Sequence, residues 1–206
     1  MTKEDQLEEV KARIKNNNNL PLKQGATNLV FGEGNAHSKI VFIGEAPGFH
    51  EDRLGRPFVG NAGNLLDRLL AIAGFKREEI YITNLIKYRP PENRDPEPKE
   101  IAAFLPYLVS QLEIINPKFV VTLGRFSMNF FLPKAKISTC HGQANTVNGR
   151  IVIPMFHPAA ALRSASVMSA VETDFGKLPQ ILVFPQDFLV EENKNVEKDD
   201  NQMSLF

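Results

Sequence analysis

Four short runs of β-branched and aromatic residues, each broken by glycine, proline or a polar loop, constrain this chain more than any other feature. They are 40–43 (IVFI), 80–86 (IYITNLI), 119–123 (FVVTL) and 151–155 (IVIPM). Runs this short and this apolar read as buried strands. Helical spacing separates them. From Asn61, Leu65, Leu66, Leu69, Leu70 and Ala73 form one apolar stripe; from Pro98, the series is Ile101, Phe104, Leu105, Leu108, Leu112 and Ile115. Further helices are expected near 125–131 and over about 166–182. Proline at the first helical position suits the start at Pro98, whereas Pro106 should kink that helix or tighten its first turns. Strands alternating with helices predict an α/β fold: a three-layer α/β/α sandwich around a central four-stranded parallel sheet.

Ahead of this unit, Leu7, Val10 and Ile14 mark a helix over 4–15, which four asparagines end. The expected organisation is an N-terminal helix and polar loop over 1–19, one domain over 20–189, and an acidic tail over 190–206. A chain of 206 residues suits one such domain. No apolar run approaches the roughly 20 residues that span a bilayer, and the charged N-terminus has no signal-peptide core, so no membrane association is expected. One cysteine, Cys140, cannot form an internal disulfide, which fits a reducing cytoplasm. A monomer is expected. The formal net charge is zero, but Glu191, Glu192, Glu197, Asp199 and Asp200 crowd the tail against Lys194 and Lys198. The body is therefore mildly basic, which is weak support for an anionic partner.

The densest stretch is 41–70. The first strand stops at Gly44, and Glu45-Ala46-Pro47-Gly48 reads as a tight turn. Glu51 and Asp52 follow, then Pro57-Phe58, Gly60 and Gly63, before the helix. Acidic and aromatic groups thus sit beyond a strand's carboxyl end, where open α/β sheets hold ligands. This run resembles the first motif of the family 4 uracil-DNA glycosylases, Gly-Glu-Ala-Pro-Gly, an acid-rich turn, then Pro-Phe-Val-Gly. Thr83 to Lys87 with Arg89-Pro90-Pro91 and Asn93 to Pro96 resembles the second block; Val121 to Gly124 resembles the third. His157-Pro158-Ala159-Ala160-Ala161-Leu162-Arg163 resembles the closing His-Pro motif. Four blocks in order, covering roughly Leu20 to Leu182, are far more specific than a glycine-rich loop.

The resemblance implies a monofunctional DNA N-glycosylase that flips uracil out of DNA and hydrolyses its N-glycosidic bond. It gives Phe58 the role of stacking on the flipped base. Asn84 would read the O4 and N3 edge with its amide, which both accepts and donates. His157 would donate to O2 and stabilise charge on the departing base. Read bare, these are a core phenylalanine, a strand-end cap and a turn histidine. Glu51 is expected to serve the sugar or the attacking water, and Glu45 with Ala46 to contact uracil. Asp52 is expected in solvent, and of the other histidines only His141 near the site. Arg89, Arg94 and Arg163 are candidate DNA contacts within a rim that also includes Arg53, Arg56, Lys87 and Arg125. Leu162 is a candidate wedge for the gap left by the base.

The family usually carries a four-cysteine iron–sulfur cluster. The corresponding positions are Asn17, Leu20, Tyr88 and Phe104, none of which supplies a thiolate, so no cofactor and no metal are expected. Leu20, Tyr88 and Phe104 should instead pack as a plug. The C-terminal Gln202-Met203-Ser204-Leu205-Phe206 resembles the bacterial sliding-clamp-binding pentapeptide, with Gln202 as the polar contact and Met203, Leu205 and Phe206 as apolar anchors. Two rivals stay open: an inactive uracil or single-strand binding module on the same fold, and a nucleotide hydrolase holding phosphate in its glycine-rich loop.

Overall fold

In the computed structural model, which describes residues 1–190, all four runs lie side by side as parallel strands. The order of elements is α1 (Lys3–Asn16), β1 (Glu33–Gly34), β2 (Ile40–Gly44), α2 (Phe49–Leu54), α3 (Asn61–Ile72), β3 (Tyr81–Asn84), α4 (Pro98–Ile115), β4 (Phe119–Leu123), α5 (Arg125–Phe131), α6 (Ile137–Cys140), β5 (Asn145–Val147), β6 (Arg150–Met155), α7 (Pro158–Ala161) and α8 (Ala165–Val183). Across the sheet they run β1-β3-β2-β4-β6-β5. The inner four are parallel; β1 and β5 are antiparallel edges. The expected α/β fold with four central parallel strands is present, and two short antiparallel edges extend it to a six-stranded mixed sheet. Two edge strands of two and three residues are too short to show an alternating pattern, so the sequence hides them. The run at 80–86 also ends early as a strand. Leu85 and Ile86 leave the ladder and donate their N–H groups to the carbonyls of Gly44 and Glu45 at 3.1 and 3.2 Å.

Side-chain alternation produces the three layers. Phe42 is in register with Ile82 and Val121, and Val121 with Ile153. These four point to one face, where Leu66, Leu69 and Leu70 of α3 and Phe175 and Leu178 of α8 cover them. Val41, Ile43, Tyr81, Val120 and Val152 point the other way, against Leu7, Val10 and Ile14 of α1 and Phe104, Leu108 and Leu112 of α4. Each fully buried Leu or Phe here contributes on the order of 1.5–3 kcal/mol.

Helix ends follow local chemistry. Thr2 and Asp5 form a reciprocal capping box at the start of α1. The N–H of Glu97 donates to Glu100 at the start of α4, beside Pro98 at the expected position. α4 runs unbroken from Pro98 to Ile115 with Pro106 inside, and Asn116 ends it in the left-handed region at φ 49°. The acid-rich turn after Gly48 is in fact a short helix, α2, stopped by Gly55 at φ 67°.

Leu20, Tyr88 and Phe104 are buried in one cluster, with the Tyr88 and Phe104 rings edge to face at 6.1 Å. Asn17 donates to the Tyr107 hydroxyl at 3.0 Å. Cys140 lies elsewhere, its Sγ 3.4 Å from Met128 Sδ.

Candidate active site

Because β2, β3, β4 and β6 are parallel, their carboxyl ends Gly44, Asn84, Leu123 and Met155 share one edge. The chain leaves β2 toward β3 on one side and later returns to β4 on the other, which opens a crevice at that edge. A hollow of about 580 Å³ occupies it. Glu45, Ala46, Glu51, Phe58, Asn84 and His157, the expected catalytic and base-binding residues, all line it.

Two glycines set the spacing. A Cβ on Gly44 would fall 2.3 Å from Asn84 Oδ1 and 2.6 Å from Phe58 Cζ, so only glycine lets the amide and the ring converge over the end of β2. A Cβ on Gly63 would fall 1.9 Å from the Phe58 carbonyl oxygen; the first turn of α3 is thereby pressed onto the Phe58 backbone. Phe58 itself has φ 50°, a conformation that a bulky residue holds only when its surroundings impose it. Glu51 helps to impose it. Its Oε1 accepts from the N–H groups of Val59 and Gly60, both at 2.9 Å, which ties α2 to the turn carrying the ring.

Asn84 is 2% exposed, and its Oδ1 is buried without a hydrogen-bond partner. A buried polar atom left unpaired costs about 1–3 kcal/mol, and native proteins tolerate few. Here the unpaired Oδ1 belongs to a residue that lines the hollow, where a ligand's N–H would satisfy it.

The Phe58 and His157 rings lie 5.6 Å apart, inclined by 28°. His157 caps α7, its Nδ1 accepting from the Ala159 N–H at 3.1 Å. That bond needs an unprotonated Nδ1, so the neutral ring carries its proton on Nε2. Burial lowers the His157 pKa to about 4, the negative charge of Glu51 opposing the shift. The imidazole is therefore a neutral N–H donor near pH 7. Gly124, at φ 93°, brings the end of β4 against it; a Cβ there would sit 3.1 Å from the histidine Cβ.

Burial pushes Glu45 up to about 7; the nearby charge of Asp95 adds to the shift and Arg125 opposes it. Asp95 and Arg125 are themselves ion-paired and both line the hollow. Arg125 is one of the expected rim cations, whereas Asp95 is an unexpected member of the site; its position inside the second block, between Arg94 and Pro96, is the signal that marks it.

Several expectations need correction. Asp52 is not solvated: it is buried and accepts from the Thr27 and Asn28 N–H groups at 2.9 and 3.2 Å. Lys87 is not at the rim. It is fully buried, and its Nζ donates to Thr83 Oγ1, the Asn84 carbonyl and Gln111 Oε1 at 2.7, 2.8 and 2.6 Å. Burial drives its pKa well down, while three acceptors fill all its donor directions. Arg56 pairs with Glu33, away from the hollow. Arg94 borders the hollow, held by Glu100 at 2.8 and 2.6 Å. Arg163 also lines it, whereas Arg89 and Leu162 stand just outside, next to the lining residues Pro90 and Arg163. His141 packs on Phe156 and binds Asp174 at 2.7 Å, and is not among the lining residues.

A neutral N–H donor, an unpaired amide, an aromatic face and two carboxylates around one hollow suit recognition of a flat heterocycle and cleavage beside it. Sequence comparison agrees. A model of the uracil DNA glycosylase superfamily matches residues 31–176, and the chain belongs to that superfamily. Within it, the type-4 uracil-DNA glycosylase of Thermotoga maritima is 46% identical over 168 residues, covering 80% of this chain and 88% of that protein. The type-4 uracil-DNA glycosylase of Sulfurisphaera tokodaii is 41% identical over 197 residues, covering 91% and 90%. A type-5 uracil-DNA glycosylase of Pyrobaculum aerophilum is 28% identical over 144 residues, covering 61% and 63%.

Proposed function

We infer that this chain is a uracil-DNA glycosylase of the type-4 kind, a monofunctional hydrolase that starts base-excision repair. The observation that carries the inference is the orphaned Oδ1 of Asn84, a residue lining the hollow. Uracil offers N3–H to Oδ1 and O4 to the amide NH₂. Cytosine presents the reverse pattern and leaves both unmatched. Phe58 gives the flipped ring a flat wall, and His157 Nε2–H donates to O2, where negative charge collects as the C1′–N bond lengthens. Because the ring is neutral near pH 7, the stabilisation it offers is that of a directed hydrogen bond rather than a positive charge. Glu51 is assigned to the oxocarbenium-like sugar and the attacking water, with its carboxylate fixed by two backbone donors before substrate arrives. Glu45 and Ala46 complete the base pocket. Lys87 is committed to three acceptors, so no lysine in the motifs serves as a Schiff-base nucleophile and no strand cleavage is expected. Arg89, Arg94 and Arg163 are the phosphate contacts and Leu162 the wedge.

Uracil release from an oligonucleotide with one uracil tests this reading. Wild-type protein should release it, cytosine should remain, and activity on free nucleotides should be absent. Hydrolysis of free nucleotides without uracil release would favour the nucleotide-hydrolase rival; binding without turnover would favour the inactive module.

The residues at the family's cluster positions do not fit an iron–sulfur group: an amide, an aliphatic chain and two aromatic rings offer no thiolate. The chain is accordingly proposed to work without one, with Leu20, Tyr88 and Phe104 packed in its place. Cluster-like absorbance with stoichiometric iron and sulfide in purified protein would refute this. The clamp-like pentapeptide 202–206 lies outside the described residues. Its proposed role rests on sequence: deleting it should abolish capture by a bacterial sliding clamp and leave excision from short oligonucleotides intact, and equal capture of both forms would remove the idea.

A further inference from the structure

Phe49 is the first residue of α2 and is 51% exposed. Single exposed apolar side chains are ordinary on protein surfaces. This one is braced. The Arg89 guanidinium carbon lies 5.2 Å from the ring centre, and the His50 ring meets its edge at 5.5 Å. Arg89 is itself held by its Nε, which donates to Asn93 Oδ1 at 2.7 Å. The pair also abuts the hollow: Gly48, Pro90 and Asn93, the immediate chain or hydrogen-bond neighbours of Phe49 and Arg89, all line it. Leu162 stands at 45% exposure next to the lining residue Arg163. The mouth thus has two exposed apolar side chains, each close to an arginine.

We propose that Phe49, braced by Arg89, is a stacking platform for the base next to the flipped uracil in single-stranded DNA. The proposal rests on the glycosylase reading and extends it to the form of the substrate. Every base has a π face, so an aromatic–guanidinium step accepts any neighbour regardless of sequence, while the arginine edge remains available to a phosphate. In a duplex, the neighbouring base stays paired, so the face that flipping uncovers opens only into the gap inside the helix and cannot turn toward Phe49. In a single strand, no pairing holds that base, and its uncovered face can settle on the platform. The platform therefore favours single-stranded substrate, whereas a wedge at Leu162 fills a gap that exists only in a duplex.

The test is a cycle between protein and DNA, in single-turnover uracil release. Single-stranded oligonucleotides carry one uracil with normal bases on both sides, or with a tetrahydrofuran residue lacking a base on the 5′ or the 3′ side. For wild-type protein, removing the base on one side should lower the second-order rate constant roughly tenfold. For Phe49→Ala, the same removal should cost less than about twofold, because the platform is already gone. Phe49→Trp should retain the full penalty and serves as the second variant. A penalty of equal size in wild type and Phe49→Ala, or none in wild type, would overturn the proposal. Failure of the wild type to release uracil from any of the DNAs would overturn the glycosylase reading, and the platform with it.

Discussion

Asn84 and Tyr88 are four residues apart, yet the regions they enter are opposites. At Asn84 the core is left unfinished: a buried amide oxygen without a partner, a phenylalanine at positive φ, and a carboxyl group pushed up to about 7 surround the hollow. At Tyr88 the side chains are buried together: the ring meets Phe104 edge to face, and Leu20 belongs to the same cluster. Between them, Lys87 is a buried polar residue with every donor direction used. The contrast separates fold from chemistry. Around Tyr88, apolar contact stabilises the chain. At the hollow, a buried polar atom stays unsatisfied at a cost to stability.

Emptying the plug should give the largest effect, and on stability alone. Phe104→Ala is expected to lower the unfolding free energy by about 3–5 kcal/mol in urea titration, with turnover of the remaining folded protein unchanged. If turnover falls with stability, the two regions are coupled and the contrast fails.

The hollow should answer in the other currency of rate. His157→Ala removes the donor to O2 and should lower kcat by roughly 10²- to 10³-fold. Asn84→Ala should lower kcat/KM for uracil by roughly tenfold to a hundredfold, yet leave the melting temperature equal or higher, since a buried unpaired acceptor disappears. A clear loss of stability in Asn84→Ala would mean that the amide is a structural group after all.

The pH dependence of stability is the smallest effect and has opposite signs for two neighbours. His157 titrates near 4 in the folded protein, below its ordinary 6.5, so the unfolded chain binds the extra proton and stability falls as pH drops through that window. Glu45 titrates near 7, above its ordinary 4.5; its favourable contribution is present below 4.5 and is lost as pH rises through about 7. Melting curves of Glu45→Gln should therefore show a gain over wild type at pH 8 and none at pH 4.

Much of the fold and of the site is legible in the sequence. The inner strands announced themselves because parallel strands buried on both faces are continuously apolar, and Phe58, Asn84 and His157 stood out because they end those strands or follow them in ordered motifs. What escaped depended on partners remote in sequence. Asp52 looks solvated until the backbone of Thr27 and Asn28 arrives beside it, and Lys87 looks like one more surface cation until Gln111, on α4, reaches its Nζ. β1 and β5 are strands only because a neighbour offers a ladder. No local pattern encodes such contacts.

The most direct test of the central claim is a titration of the protein with free uracil, followed by ¹⁵N NMR of the Asn84 side-chain amide and the His157 ring. Uracil seated against Phe58 should shift the Asn84 NH₂ and the His157 Nε2–H together, with one dissociation constant, and cytosine should shift neither. Saturable uracil binding that leaves both signals in place would contradict the account.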